Sequence, residues 1–278
     1  MQRYRVNYPL LIGLVVGGAI ASVAAFFLWR YQVDRNASRL LAKADAAEAS
    51  GDLEEAFESL QQYVQLRTRE NEARARLGEI AVKVTEQEDM EPELRGTAFQ
   101  TLVAMVRDTG DIDESDPEAA KRQREANAKL RRKLVDIQTK FGAPDLALGN
   151  INQLLEQGVS DPDLKALRAQ CLFATQKPAE AAGYSYKLIG YDPQADAFDV
   201  AKAEAPEKPL VYAMLASYLN ANEPELARRV IDQMTVANPE STDAYVMQYQ
   251  FLKTTGKNEE ARAALDKAFE LKADDAAV

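Results

Sequence analysis

The sequence predicts an all-α protein, a single transmembrane helix followed by stacked helix-turn-helix repeats. Three observations predict it. Residues Pro9 to Trp29 contain no charge. Beyond Arg35, apolar residues recur at helical spacing with almost no strand-like alternation. Short helix-start segments also return at fixed offsets along the chain.

Composition removes several function classes. The 278 residues carry 34 Lys+Arg against 44 Asp+Glu, a net charge of −10, which argues against general nucleic-acid binding. There is no histidine and one cysteine, Cys171. A neutral-pH imidazole base, a zinc ligand set of N and S donors, a disulfide scaffold and Ser/His or Cys/His triads are therefore excluded. Hydrophobic residues make up 46%, and only 13 glycines and 11 prolines interrupt the chain, so one or two domains with a real core are expected. No P-loop, dinucleotide fingerprint or metal motif is found, and no cofactor is expected.

The amino-terminal element is read as a tail over 1–8 and a membrane helix over 9–30. A helix of the 21 uncharged residues would be roughly 31 Å long, the thickness of the hydrocarbon layer. Tyr4 and Tyr8 precede it and Trp29 and Tyr31 follow it, with Arg3, Arg5 and Arg30 close by, as interfacial anchors do. A cleaved signal peptide is the rival reading, with Arg3 and Arg5 as its basic region and Ala19-Ile20-Ala21 as a processing site. The apolar run exceeds the usual length of such a segment, which favours an uncleaved anchor. Arg30, Arg35, Arg39 and Lys43 on the far side nearly balance the positive-inside count, and the short amino-terminal tail tips the choice towards a soluble domain on the outer, extracytoplasmic side. Gly13, Gly17, Ala21 and Ala25 repeat every four residues and suit close pairing of two such helices.

Four helix starts superpose: Gly142 to Ala147, Gln176 to Ala181, Asn222 to Ala227 and Gly256 to Ala261. Their final alanines are 34, 46 and 34 residues apart, and the longer step contains an insertion over Gln194 to Lys208 that is poor in large apolar residues. This pattern resembles the tetratricopeptide repeat (TPR), a helix-turn-helix unit of 34 residues. Ala147, Ala181, Ala227 and Ala261 match its small position in the second helix, and Pro193 and Pro239 the proline that follows. Val211, Met214, Leu215 and Tyr218, and again Tyr245, Tyr249 and Leu252, match bulky positions of the first helix. Leu40 to Leu66 has the same shape, with Ala56 at the small position, Leu77-Gly78 starts another unit, and Pro92 to Arg107 completes it. The resemblance implies a TPR-like solenoid, an α-α superhelix, over 36–278, with irregular repeats at about 68–141 and regular repeats over 142–273. Such hairpins bury their apolar faces only by stacking on neighbours. The run stops at Ala276-Ala277-Val278 where another first helix would begin, so a longer parent protein is expected.

Candidate chemistry is sparse. The acidic stretch Asp108 to Asp116 invites a calcium reading but places Asp116 and Arg122 where an EF-hand needs Gly and Glu, so a solvated linker is expected. Lys121, Arg122, Arg124, Lys129, Arg131, Arg132 and Lys133 form the one basic patch, a possible contact for anionic groups or an exposed helix balanced by that acidic linker. Carboxylate pairs such as Glu54/Glu55 do not face each other on a helix and both lie on its solvated side, so no catalysis is expected. Cys171, among apolar neighbours, is read as a buried small hydrophobe.

The resemblance further implies that first helices line a groove for peptides or partner helices, and registry with it places Gln170, Phe173, Tyr212, Ala216, Leu219, Val246, Gln250 and Lys253 there. Family members that grip acidic chaperone termini use Lys and Asn at places occupied here by Ala166, Gln170, Tyr212 and Ala216, so that specificity is not implied. The expected function is a membrane-tethered scaffold for protein–protein interaction. A glycan- or small-ligand-binding or enzymatic helical toroid, and a purely self-associating structural protein, are the alternatives.

Overall fold

The computed structural model describes residues 8–68, 70–108 and 115–275. The described chain is helical apart from one short hairpin. It divides into two compact units, residues 1–130 and 131–278.

In the first unit, α1 (Tyr8–Ser50) is one continuous helix of 43 residues, about 64 Å long. The expected anchor and the first repeat helix are thus a single element. Between Gly18 and Gly51 there is neither Pro nor Gly to break it, and Ala42 to Ala49 is rich in the strongest helix former. Among the described side chains up to Tyr31, Ile20, Phe26, Phe27 and Trp29 are exposed. From Ala37 onward the helix buries Ala37, Ala44 and Ala47 against its neighbours.

The helix α2 (Leu53–Leu66) begins at Asp52, whose carboxylate accepts the Glu55 amide at 3.0 Å, and buries Ala56, Phe57, Leu60, Tyr63 and Val64. Next come α3 (Asn71–Glu86) and α4 (Pro92–Arg107), as the sequence pairing requires. Arg76 on α3 bonds Asp45 at 2.6 Å and Glu48 at 2.7 Å on α1. The helix α5 (Pro117–Lys140) contains the division between the units. Within the first unit, Gly78 lets α5 approach: a Cβ there would lie 2.7 Å from the Leu130 side chain.

The second unit contains the rest of α5, α6 (Pro144–Glu156), α7 (Pro162–Ala174), α8 (Pro178–Ile189), α9 (Pro209–Leu219), α10 (Pro224–Ala237), α11 (Thr242–Thr254) and α12 (Asn258–Asp275). Prolines at the first position of α6 through α10 fix φ where no amide partner is needed. The four superposed alanines, Ala147, Ala181, Ala227 and Ala261, are all buried at the contacts between helices. Leu188, Val211, Leu215, Val230 and Ile231 share one buried cluster with Ala227 and Ala261. Burying a side chain of that size stabilises by about 1.5–3 kcal/mol.

The insertion is ordered. Strand β1 (Tyr191–Asp192) pairs antiparallel with β2 (Ala197–Phe198), and a 3-10 turn follows at Val200–Lys202. Tyr191 sits between Tyr186 and Phe198 with ring centroids 5.0 Å from each. Gly190 has φ 71°, and a Cβ there would strike the Asp199 carbonyl, so this turn requires glycine. Asn238, just past the end of α10, holds the end of the insertion by donating to the Pro206 carbonyl at 2.9 Å.

Candidate partner-binding face

In the second unit the first helices α7, α9 and α11 pack side by side, α9 in contact with both others. Each keeps one face out of the core. On α7 this face carries Gln170 and Phe173, both half-buried, and the Phe173 ring lies 6.0 Å from that of Tyr218 on α9. On α11 it carries half-buried Val246 with exposed Gln250 and Lys253, whose ammonium lies 5.4 Å from the Tyr249 ring centroid.

Tyr212, Ala216 and Leu219 are not on that face. They lie in the core of the unit, Tyr212 and Ala216 at 0% exposure. The cause is a slip of one residue. Second helices repeat at 34, from Ala227 to Ala261, but first helices repeat at 33, so Val211 corresponds to Ala244 and Leu219 to Leu252. Carrying 34 onto α9 rotates each choice by about 100° on a helix of 3.6 residues per turn. The face of α9 that matches Gln170, Phe173, Val246, Gln250 and Lys253 carries Ala213 and Ser217, flanked by Leu210 and Met214, with Asn220 just past the helix end. The run of α9, PLVYAMLASYL, with Ser217 its one small polar residue, conceals this because both sides look suited to a core.

Among the described residues Gln170, Asn220 and Gln250 have no side-chain hydrogen bond, so three amides on three successive elements keep their donors and acceptors free. Charges at the α7 end are engaged: Lys208 lies 2.6 Å from Asp163 and holds its carboxyl below the usual range, and Lys165 lies 2.7 Å from Glu204. The Arg168 guanidinium stacks 4.4 Å from the Tyr184 ring centroid and donates to Asn152 at 3.0 Å.

The basic patch does not form one surface. In the first unit Lys121, Arg122, Arg124 and Lys129 are exposed, and Lys129 pairs with Glu79 at 2.8 Å. In the second, Arg131 is only 8% exposed and donates to Asn150 at 2.9 Å and also to Gln153, while Asn150 donates to buried Gln138 at 3.0 Å. Burial lowers the pKa of Arg131. Arg132 lies between Asp136 and Asp161 at 3.7 and 3.8 Å, and Lys133 is exposed. Arg131 flanks Leu130, Leu134 and Val135, the core stripe of α5, which takes it out of contact with solvent.

Cys171 is buried as expected, and burial pushes its thiol pKa up. Residues 109–114 of the acidic stretch lie outside the described residues, and among the described residues no cluster of metal-ligating side chains occurs. Gly17, Ala21 and Ala25 lie on the exposed part of α1, while the surroundings of Gly13 are outside the described residues.

No family model matches the chain, and no curated protein matches it. Its fold is similar to that of a tetratricopeptide repeat protein from Parabacteroides merdae, at 16% identity over 85% of this chain and 80% of that one, with a TM-score of 0.52. YrrB, a TPR protein with an unusual peptide-binding site, aligns at 15% identity over 79% of this chain and 95% of its own, with a TM-score of 0.42. The chain therefore has the TPR fold, an all-α helix-turn-helix architecture, with one long apolar helix at its amino terminus.

Proposed function

We propose that the protein is a membrane-tethered TPR scaffold that binds an extended or helical segment of another protein on the free face of α7, α9 and α11. The observation that carries this reading is the face itself. Apolar Phe173, Leu210, Met214 and Val246 alternate there with the free amides of Gln170, Asn220 and Gln250. Apolar contacts supply affinity for alternate side chains of a bound segment, and amides satisfy its backbone, a division of labour common to peptide grooves. No catalytic role is proposed.

The tether is the exposed apolar part of α1. Its described large side chains are exposed, and the helix is long and apolar enough to cross a bilayer. The four-residue spacing from Gly13 to Ala25 supports pairing of two such helices as a homodimer.

A photo-crosslinking amino acid placed in the full chain at Ser217, and separately at Val236 on the opposite helix layer, tests this reading. The expected result is one dominant adduct with another protein from Ser217 and none from Val236. Adducts only with the chain itself would favour the self-associating alternative, and a ligand-induced thermal shift with a glycan panel would favour the toroid.

A further inference from the structure

We propose that the end of the first unit nearest the apolar stretch docks on anionic phospholipid headgroups, an inference that rests on reading α1 as a membrane span. Because α1 is unbroken, positions along it convert to height. Arg35 lies about 9 Å and Arg39 about 15 Å beyond Trp29 along the axis, at 1.5 Å per residue. The polar layer of one leaflet is about 5–7 Å thick, and long cationic side chains reach back towards it.

The next helix brings a further cation to this level. Helix α2 packs against α1 and returns along it, and Arg67 just past its end pairs with Asp34, so Leu66 and Arg67 lie beside the Asp34 turn. Leu66 is 41% exposed there. A cleft of about 600 Å³ opens between Asn36, Arg39, Leu40 and Lys43 of α1 and Gln62 and Leu66 of α2.

The charge balance at this end favours an anion. Asp34 is paired with Arg67 and Lys43 with Glu55 at 2.8 Å, while the Glu70 carboxylate accepts from the neutral Tyr63 hydroxyl and is outnumbered by the arginines. Arg30, Arg35 and Arg39 have no ion pair among the described residues. Three uncompensated guanidiniums next to a membrane span, in a chain whose net charge is −10, mark a local reversal of sign. Basic residues just outside a span attract anionic lipid by about 1 kcal/mol each, and the attraction disappears within a Debye length.

The test is electron spin resonance of the full chain in phosphatidylcholine vesicles containing a trace of spin-labelled phosphatidylglycerol or, separately, spin-labelled phosphatidylcholine. The expected result at low salt is a several-fold excess of motionally restricted phosphatidylglycerol. That excess should fall towards one in Arg35→Gln/Arg39→Gln and in molar salt, where the screening length is about 3 Å. A ratio near one in the native chain, or a ratio unchanged by the double substitution, overturns the proposal while leaving the span intact. Absence of any restricted lipid overturns the span and the proposal with it. Helix content and thermal unfolding of the double variant should match the native chain, since neither arginine makes an ion pair in the described structure.

Discussion

Arg229 on α10 holds Asp196 twice: one guanidinium nitrogen donates to the carboxylate at 2.7 Å and another to the backbone carbonyl at 2.7 Å. Tyr191 donates to the same carboxylate at 2.8 Å. Asp196 has φ 48°, a left-handed conformation that a non-glycine residue keeps only when its surroundings impose it. The hairpin is therefore clasped to α10 by its turn and to α8 by its ring stack.

Arg229→Ala should release that clasp without unfolding the unit. Limited proteolysis should cut within 193–198 faster than in the native chain, with helix content by circular dichroism unchanged. Bonds from Arg229 and Tyr191 hold the Asp196 carboxyl below its usual pKa. Its contribution is thus present above the unfolded value near 3.9 and is lost as pH falls through the lower folded one. Hairpin cleavage by an acid-active protease should increase only in that acidic window.

At alkaline pH two phenols with large upward shifts lower stability. Burial pushes Tyr212 up to about 12, and burial with the bond to Asp196 does the same for Tyr191. Both stay protonated in the folded chain while the unfolded chain ionises near 10. The unfolded state loses protons first, so stability should fall as pH rises from about 10 towards 12, with unfolding and late tyrosinate absorbance coinciding. The Tyr212 hydroxyl is buried without a hydrogen-bond partner. Tyr212→Phe should accordingly be neutral or stabilising by up to about 1 kcal/mol in urea unfolding, and should weaken the alkaline loss.

Small residues at the helix contacts are predicted to be intolerant of charge. Ala181→Asp or Ala227→Asp places an unpaired carboxylate at a position with 0% exposure and should cost more than about 4 kcal/mol. Val236→Asp, at 69% exposure on α10, should change stability by less than about 0.5 kcal/mol. Thermal unfolding of the three variants side by side checks the contrast.

Much of this fold is legible in the sequence because repetition reports contacts. Ala147, Ala181, Ala227 and Ala261 recur where second helices must approach closely, and all four are buried. The face of first helices was harder to read. Its period differs by one residue from that of the second helices, and α9 lacks the polar side that marks a register. Arg131 looked like one more member of a charge run, since its partners Asn150 and Gln153 lie on the next helix and carry no opposite charge. The ordered hairpin was hidden for a related reason. Arg229 reaches Phe198 and Asp196 from a distant part of the chain, and local composition there resembles a loop.

The corrected register also changes which substitutions probe binding. Tyr212→Glu would bury a charge and unfold the unit, whereas Met214→Glu and Ser217→Glu alter the free face where side chains are half-buried or exposed.

The most direct test is quantitative affinity capture of the full-length chain from detergent-solubilised membranes, native beside Met214→Glu/Ser217→Glu, after confirming that both sediment with membranes at alkaline pH and unfold at the same temperature. The account predicts a stoichiometric protein partner that is retained by the native chain and reduced at least about tenfold, or 1.4 kcal/mol, by the double variant. Equal retention by both chains would contradict it.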